Sequence, residues 1–126
     1  MISEGLTLDS QQRSITDLPF VEVLSLPKLS SAEFLQRVLE RLATLGCNDV
    51  LIEAGSKLAG SFVEAGLWDE LVIYMAPKLL GSSARALLDL PIDKMLNAKS
   101  VSLIDLRLFG DDIRFIYHPA KLCSKA

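Results

Sequence analysis

Strand and helix patterns alternate along the first part of this chain, and their order constrains the fold more than any other feature. Residues 21–26 alternate apolar and polar until Pro27, which is typical of a strand. Residues 50–52 and 71–75 are short, continuous apolar runs, as in strands covered on both faces. A helical pattern separates each successive pair of runs. The order β-α-β-α-β predicts parallel strands joined by right-handed crossovers.

The helical patterns carry their own start and stop signals. Ser30 and Glu33 have the spacing of a capping box, and apolar residues then recur every three or four positions until Gly46. Residues 56–65 repeat this pattern and are followed by Gly66. We therefore predict two amphipathic helices, each ended by a glycine.

The last third of the chain has a different pattern. Residues 102–108 and 113–117 alternate in apolar character around a Gly-Asp-Asp turn, which predicts an antiparallel hairpin. Before it, residues 84–88 suggest one helical turn. The predicted fold class is α/β, with a three-layer αβα arrangement and a mixed sheet that is mostly parallel. Residues 1–20 are polar and aperiodic, so we interpret them as a leader or connector.

Composition excludes several classes of function. The chain has 126 residues, half of them hydrophobic, which suits one modest domain. Its net charge of −3 argues against nucleic acid as a partner. No apolar run suits a membrane span or a secretory signal, so we expect a cytoplasmic protein. Cys47, Cys123 and the single histidine, His118, have no zinc-ligand spacing, so neither a metal site nor a disulfide is expected.

The turn that follows residues 50–52 is the strongest candidate for a binding site. Ligands of open α/β sheets bind beyond the carboxyl ends of the strands. Here Glu53 ends a strand pattern, and Gly55 and Ser56 begin a helix whose free N–H groups and dipole would favour a phosphate. The residues alone leave two readings open, a phosphate site and an ordinary helix cap. Glu53 must face solvent, a hydrogen-bond donor or a ligand.

Other candidates carry weaker signals. Lys78 ends the third strand pattern and Arg85 lies in a Ser/Gly-rich loop, so either side chain is able to reach a phosphate, but a solvated side chain is the default. His118 has no triad-like neighbours in sequence, which favours a structural or solvent-exposed imidazole.

Three linked motifs resemble one family closely. They are NDVLIEAGSKLAGSF over residues 48–62, EAGLWDEL over residues 64–71 and YMAPKLLG over residues 74–81. In this order they resemble the C-terminal reductase domain of the bifunctional riboflavin-biosynthesis deaminase/reductase, from Val21 to about Pro119. The resemblance implies a dihydrofolate-reductase-like fold. It also implies NADPH-dependent reduction of the ribose of a phosphoribosylaminopyrimidine to a ribityl chain.

The resemblance also assigns residues to this site. Gly55, Ser56, Lys57 and Leu58 match the family turn that wraps the cofactor phosphates. Glu53 matches an acidic position near the meeting point of nicotinamide and substrate, and we expect it to orient one of them. The family often has Pro or Gly at the position of Ser56 and Thr at that of Lys57. No catalytic residue is assigned.

The family pattern also has parts that this sequence does not match. Nothing here corresponds to the family's Ser-Leu-Asp-Gly motif or to the deaminase zinc ligands. Residues 21–126 are therefore predicted to be the second half of a reductase domain, incomplete for catalysis alone. Half a sheet leaves unpaired edges, so we expect a homodimer through the terminal hairpin. The alternatives are a non-catalytic dimeric interaction module and a nucleotide-binding protein of the same fold.

Overall fold

The computed structural model describes residues 21, 23 and 30–120. The chain divides into two compact units, residues 1–50 and residues 51–126. The first unit contains helix α1, Ser31–Thr44, and the second contains helix α2, Ser56–Ala65. The second unit also contains strands β1, Leu71–Met75, β2, Val101–Phe109, and β3, Asp112–Pro119, with a short 3₁₀ helix at Met95–Asn97. The described fold is α/β.

Helix α1 confirms the predicted capping box. The Ser30 hydroxyl accepts a hydrogen bond from the Glu33 amide at 3.4 Å, and the Ser30 amide donates to the Glu33 carboxylate at 3.1 Å. The Ser30 hydroxyl also donates to the Glu33 carboxylate at 2.6 Å, and this bond, followed by the one from the Ser30 amide, holds the pKa of the Glu33 carboxyl below its usual range. Leu35, on the predicted inward face, is buried. The local sequence therefore determines where this helix begins.

Helix α2 confirms the second predicted helix. Its bounds are those of the sequence pattern, and Gly66 ends it with a φ of 69°, a backbone conformation that glycine adopts without strain. Phe62 and Val63 are the buried hydrophobic residues of this helix. The periodicity predicts Leu58, Ala59, Phe62 and Val63 on the inward face; Phe62 and Val63 confirm it, whereas Leu58 is 47% exposed at the start of the helix.

The sheet has the strand order β1-β3-β2, and both strand pairs are antiparallel. The β2–β3 pair confirms the predicted hairpin, which turns at Gly110 and Asp111. Strand β1 also forms where predicted, but it pairs with β3 in the antiparallel sense, and no parallel pair occurs among the described residues. The described residues therefore do not confirm the predicted mostly parallel sheet, and apolar periodicity by itself records which faces are covered without fixing strand direction.

Three further sequence predictions have different outcomes. Residues 50–52 were predicted to be a buried strand, yet they lie in no strand and are exposed. A strand needs a hydrogen-bonding neighbour, and the described residues supply none to this segment. Residues 84–88 form bends and loop instead of a helical turn. The strand predicted over residues 21–26 and the leader over residues 1–20 lie outside the described residues, apart from Val21 and Val23, which are not in a strand.

The two faces of the sheet differ in chemistry. Residues paired directly across strands share a face, so the registers assign each side chain to one side. One face is apolar apart from a tyrosine hydroxyl. Its members are Leu71, Ile73, Met75, Val101, Leu103, Leu106, Leu108, Ile113, Phe115 and Tyr117. The members contributed by β2 are exposed, and Leu108 reaches 71% exposure. This face is therefore an open hydrophobic surface.

The opposite face carries a charged cluster. Arg107 and Arg114 lie directly opposite each other, and the carboxylate of Asp105 accepts a hydrogen bond from Arg114 at 2.7 Å and forms an ion pair with Arg107 at 3.0 Å. The bond from Arg114 is the main cause that holds the pKa of the Asp105 carboxyl below its usual range. Arg114 also lies over the Phe109 ring, 5.3 Å from its centroid. One carboxylate thus offsets the repulsion of two opposed guanidinium groups.

Within the described part of the chain, no helix is long and apolar enough to cross a membrane.

Candidate functional site

The candidate site begins where an extended segment enters α2. Gly55 is the N-cap of this helix, with φ −68° and ψ 166°, and no side chain caps the helix start. The first turn also contains no acidic residue. The first intrahelical bond is donated by the Ala59 amide to the Gly55 carbonyl at 3.2 Å. The amides of Ser56, Lys57 and Leu58 therefore precede the helical hydrogen-bond ladder and are free to donate to an anion.

An open pocket of about 670 Å³ lies against this helix start. One wall is the turn itself, and the other wall belongs to the loop after β1. Its lining residues are Ala54, Gly55, Ser56, Lys57, Leu58, Arg85, Ala86 and Leu87. All four residues that the resemblance assigns to the cofactor thus lie around one cavity. Glu53 does not line it and is exposed.

Two contacts of the backbone hold the second wall in place. The Asp89 amide donates a hydrogen bond to the Ser56 carbonyl at 3.0 Å. In the next turn of α2, Gly60 is buried, and a Cβ at this position would clash with the Asp89 carbonyl oxygen. The loop therefore crosses the helix at a distance that only glycine permits. A turn bonded from the Ala84 amide to the Gly81 carbonyl at 3.0 Å precedes Arg85.

The structure thus adds Arg85, Ala86 and Leu87 to the site. The sequence treated Arg85 as a solvated side chain, because nothing within the loop itself indicates its neighbours. The available signal was Gly60, a glycine inside a helical pattern, which marks a position where another backbone approaches closely. Lys78 is exposed and does not line the pocket.

His118 and the acidic residues do not form a second centre. The Nε2 atom of His118 lies 3.4 Å from the Glu70 carboxylate, and both side chains are about half exposed. Across the described residues, no group of three or more His, Cys, Asp and Glu side chains is placed to hold a metal ion. The Cys47 thiol is free and exposed. The polar groups at the pocket are backbone amides and two cationic side chains, Lys57 and Arg85, beside apolar side chains such as Leu58 and Leu87, so its polar part suits an anionic ligand.

Comparison with known proteins identifies the family. Residues 9–114 match the RibD C-terminal domain, so the chain belongs to this family. The riboflavin biosynthesis protein RibD of Haemophilus influenzae is 40% identical over 114 residues, which are 89% of this chain and 30% of that protein. The 5-amino-6-(5-phosphoribosylamino)uracil reductase of Buchnera aphidicola is 40% identical over 89 residues, which are 68% of this chain and 42% of that protein.

Solved structures also show similarity to RibD. A solved structure of Acinetobacter baumannii RibD, form 2, superposes with a TM-score of 0.71 and 30% identity, over 90% of this chain and 30% of the RibD chain. A second form gives a TM-score of 0.70. The chain is therefore similar to a part of RibD, and it spans less than half the length of each of these relatives.

Proposed function

We propose that this chain is part of an NADPH-dependent 5-amino-6-(5-phosphoribosylamino)uracil reductase domain and supplies part of its cofactor cradle. The supporting observation is the pocket at the start of α2, where free amides and the Lys57 and Arg85 cations line one cavity. The relative named as this reductase supports the same reaction. In this reaction NADPH would supply a hydride to the anomeric carbon of the ring-opened ribosylamino group, whose C=N double bond is reduced to a single bond, and the nitrogen would take up a proton to complete the ribitylamino group.

The roles of the residues follow from their positions. Gly55, Ser56, Lys57 and Leu58 bind cofactor phosphates, through amides at the helix start and through the lysine ammonium group. Glu53 lies outside this pocket, next to Ala54, which lines it. We propose that its carboxylate contacts the substrate or the nicotinamide end of the cofactor. The main contribution of the chain to catalysis is to position the hydride donor.

The complete reductase domain is proposed to contain the mostly parallel, dihydrofolate-reductase-like sheet. Leu51 is 84% exposed in a segment without regular secondary structure, and among the described strands β1 lies at the edge of the sheet with one side unpaired. Both features suit the addition of strands from the rest of the domain. We also propose a cytoplasmic location, as expected for an enzyme that uses NADPH and a soluble pyrimidine.

A homodimer is the proposed assembly, with the apolar face of the terminal hairpin as its interface. Leu106 and Leu108 are exposed on this face, and β2 is the other edge strand of the sheet formed by the described residues. Sedimentation velocity at micromolar concentration should show a dimer that Leu108→Lys converts to a monomer. Asp111→Lys places the same side chain in the turn and should leave the dimer intact. A monomeric wild-type chain would refute this assembly.

Two other functions remain as alternatives. In one, the chain is a non-catalytic dimeric interaction module, a function favoured by the exposed apolar face of the sheet. In the other, it is a nucleotide-binding protein that keeps the phosphate turn and serves another reductase. NADPH titration separates these functions. No saturable binding supports the interaction module, and binding without reduction of the pyrimidine substrate supports an incomplete enzyme or a nucleotide-binding protein.

A matched pair of variants gives the binding test its control. Ser56→Asp places a carboxylate in the first turn of α2, where it interacts favourably with the positive end of the helix dipole but repels a bound phosphate. The variant should therefore keep its thermal stability and lose NADPH binding, measured by calorimetry. Ser100→Asp introduces the same charge at an exposed position outside the pocket and should bind as the wild type does. Equal NADPH affinity in both variants would contradict the proposed site.

A further inference from the structure

We propose that residues 89–99 form a strap along one side of α2, and that Lys99, at the end of this strap, is a positioning residue for the helix. The strap contacts α2 at three positions spaced four residues apart, which are Ser56, Gly60 and Glu64. Residues with this spacing lie on the same side of a helix. The strap therefore holds one side of α2 from its first turn to its last.

The first tie lies at the start of the helix. The Asp89 amide donates a hydrogen bond to the Ser56 carbonyl at 3.0 Å, and one turn later the Asp89 backbone occupies the space that a Cβ of Gly60 would take. Beyond Asp89, Leu90 and Ile92 are half-buried, and the residues that alternate with them are exposed. This alternation indicates that one side of the strap faces the protein.

The second tie lies at the other end of the helix. The Lys99 ammonium donates a hydrogen bond to the Glu64 carbonyl at 3.3 Å, across 35 positions of sequence. This carbonyl belongs to the last turn of α2, where backbone carbonyls have no partner within the helix. The last turn contains no basic residue of its own. Lys99 therefore supplies the cation that is favourable at a helix C-terminus.

Lys99 is itself held between two structured elements. The 3₁₀ helix Met95–Asn97 precedes it, and β2 begins shortly after it. At the start of β2, the Ser100 carbonyl accepts a hydrogen bond from the Ala120 amide at 3.3 Å. The bond from Lys99 to Glu64 therefore ties the end of α2 to the sheet.

The two ties share one segment and one helix, so each limits the movement that would break the other. Loss of the Lys99 bond releases the end of α2 from β2, and the strap then opens more readily along its length. The start of α2 forms one wall of the pocket, so Lys99 acts on this pocket from the opposite end of the helix. This last step rests on the proposed function, whereas the strap does not.

Amide hydrogen exchange of the full chain, measured residue by residue by NMR, tests the strap. Lys99→Met removes the ammonium group and keeps an unbranched side chain. Exchange of the Asp89 amide should become about two- to fivefold faster, the change expected when a helix end loses an exposed cation. Lys99→Arg keeps a cationic donor and should restore wild-type exchange. Lys94→Met makes the matched change at an exposed position earlier in the strap and should leave Asp89 exchange unchanged.

Three results would overturn the strap. Faster exchange confined to the end of α2 would mean that Lys99 only caps the helix. Equal acceleration throughout β2 and β3 would assign Lys99 to overall stability. Unchanged exchange at Asp89 would mean that the two ties are independent.

Calorimetric titration of the same variants with NADPH tests the link to the pocket separately. Lys99→Met should raise the Kd about two- to fivefold, while Lys99→Arg and Lys94→Met keep the wild-type value. Faster Asp89 exchange with an unchanged Kd would overturn the positioning role of Lys99. A wild-type chain that does not bind NADPH, but whose Asp89 exchange depends on Lys99, would refute the proposed function and uphold the strap.

Discussion

Substituting Gly60 with alanine tests the packing that builds the pocket. Alanine is the better helix former, by about 1 kcal/mol in an unobstructed helix interior. Here the new methyl group would clash with the Asp89 carbonyl oxygen, which is backbone and unable to rotate away as a side chain would. Forcing an extra methyl group into a filled space costs about 1–3 kcal/mol. Two opposing effects of similar size therefore have to be compared.

The identity of the obstructing atom decides the sign. Because the clash is with backbone, the cost lies in the upper part of this range, and moving the loop away would not avoid it, since the bond between the Asp89 amide and the Ser56 carbonyl and the packing of the loop on α2 would then be lost. With the gain in helix propensity subtracted, we expect Gly60→Ala to lower the free energy of unfolding by about 1–2 kcal/mol. The displaced loop should also weaken any ligand that Arg85 contacts.

The assay is urea unfolding monitored by the fluorescence of Trp68, the single tryptophan of the chain. Trp68 lies shortly after α2, so its fluorescence reports on the second unit. Ser61→Ala, at the next position of the helix, is the control. It removes a bond from the Ser61 hydroxyl to the Lys57 carbonyl at 2.9 Å and should change stability by less than about 0.5 kcal/mol. A Gly60→Ala chain as stable as the wild type would refute the close crossing of loop and helix.

Two other predictions concern the caps and charges. Ser30→Ala should lower the free energy of unfolding of the first unit by about 1 kcal/mol, measured by circular dichroism, because the amide of Glu33 loses its acceptor. An unchanged stability would mean that the capping box contributes nothing. The pKa values of Glu33 and Asp105 are lower in the folded chain than in the unfolded chain. Their ionised carboxylates therefore stabilise the fold above the pKa values of the unfolded state, and this stabilisation is lost as the pH falls through the pKa values of the folded state. Unfolding curves between about pH 6 and 3 should show decreasing stability, with a smaller decrease in Asp105→Asn, and an equal decrease in that variant would contradict the role of the Arg114 contact.

Elements specified by neighbouring residues could be predicted from the sequence. The start of α1 depends on Ser30 and Glu33, and the end of α2 depends on Gly66, so both were found correctly. The hairpin was also found, because its two strands are close in sequence and alternate around a turn. These signals act over a few residues and need no knowledge of the rest of the fold.

Features that depend on distant partners could not be predicted in the same way. Whether residues 50–52 form a strand depends on a neighbouring strand, and the direction of β1 depends on its pairing with β3. Arg85 belongs to the candidate site only because the loop that carries it crosses α2 at Gly60. Periodicity indicates that a segment has an apolar face, but it does not indicate which segment covers that face.

The unequal faces of the sheet also determine how this segment would be made soluble as an independent protein. Val101, Leu103, Leu106 and Leu108 all project from β2 toward the apolar side, away from Asp105 and its two arginines. Polar threonine or charged lysine at these four positions would remove the exposed hydrophobic surface and keep strand propensity acceptable. The ion-pair cluster that ties β2 to β3 would be left unchanged. The residues of β2 that determine solubility thus alternate with the residues that hold β2 to β3, so the two properties can be changed separately.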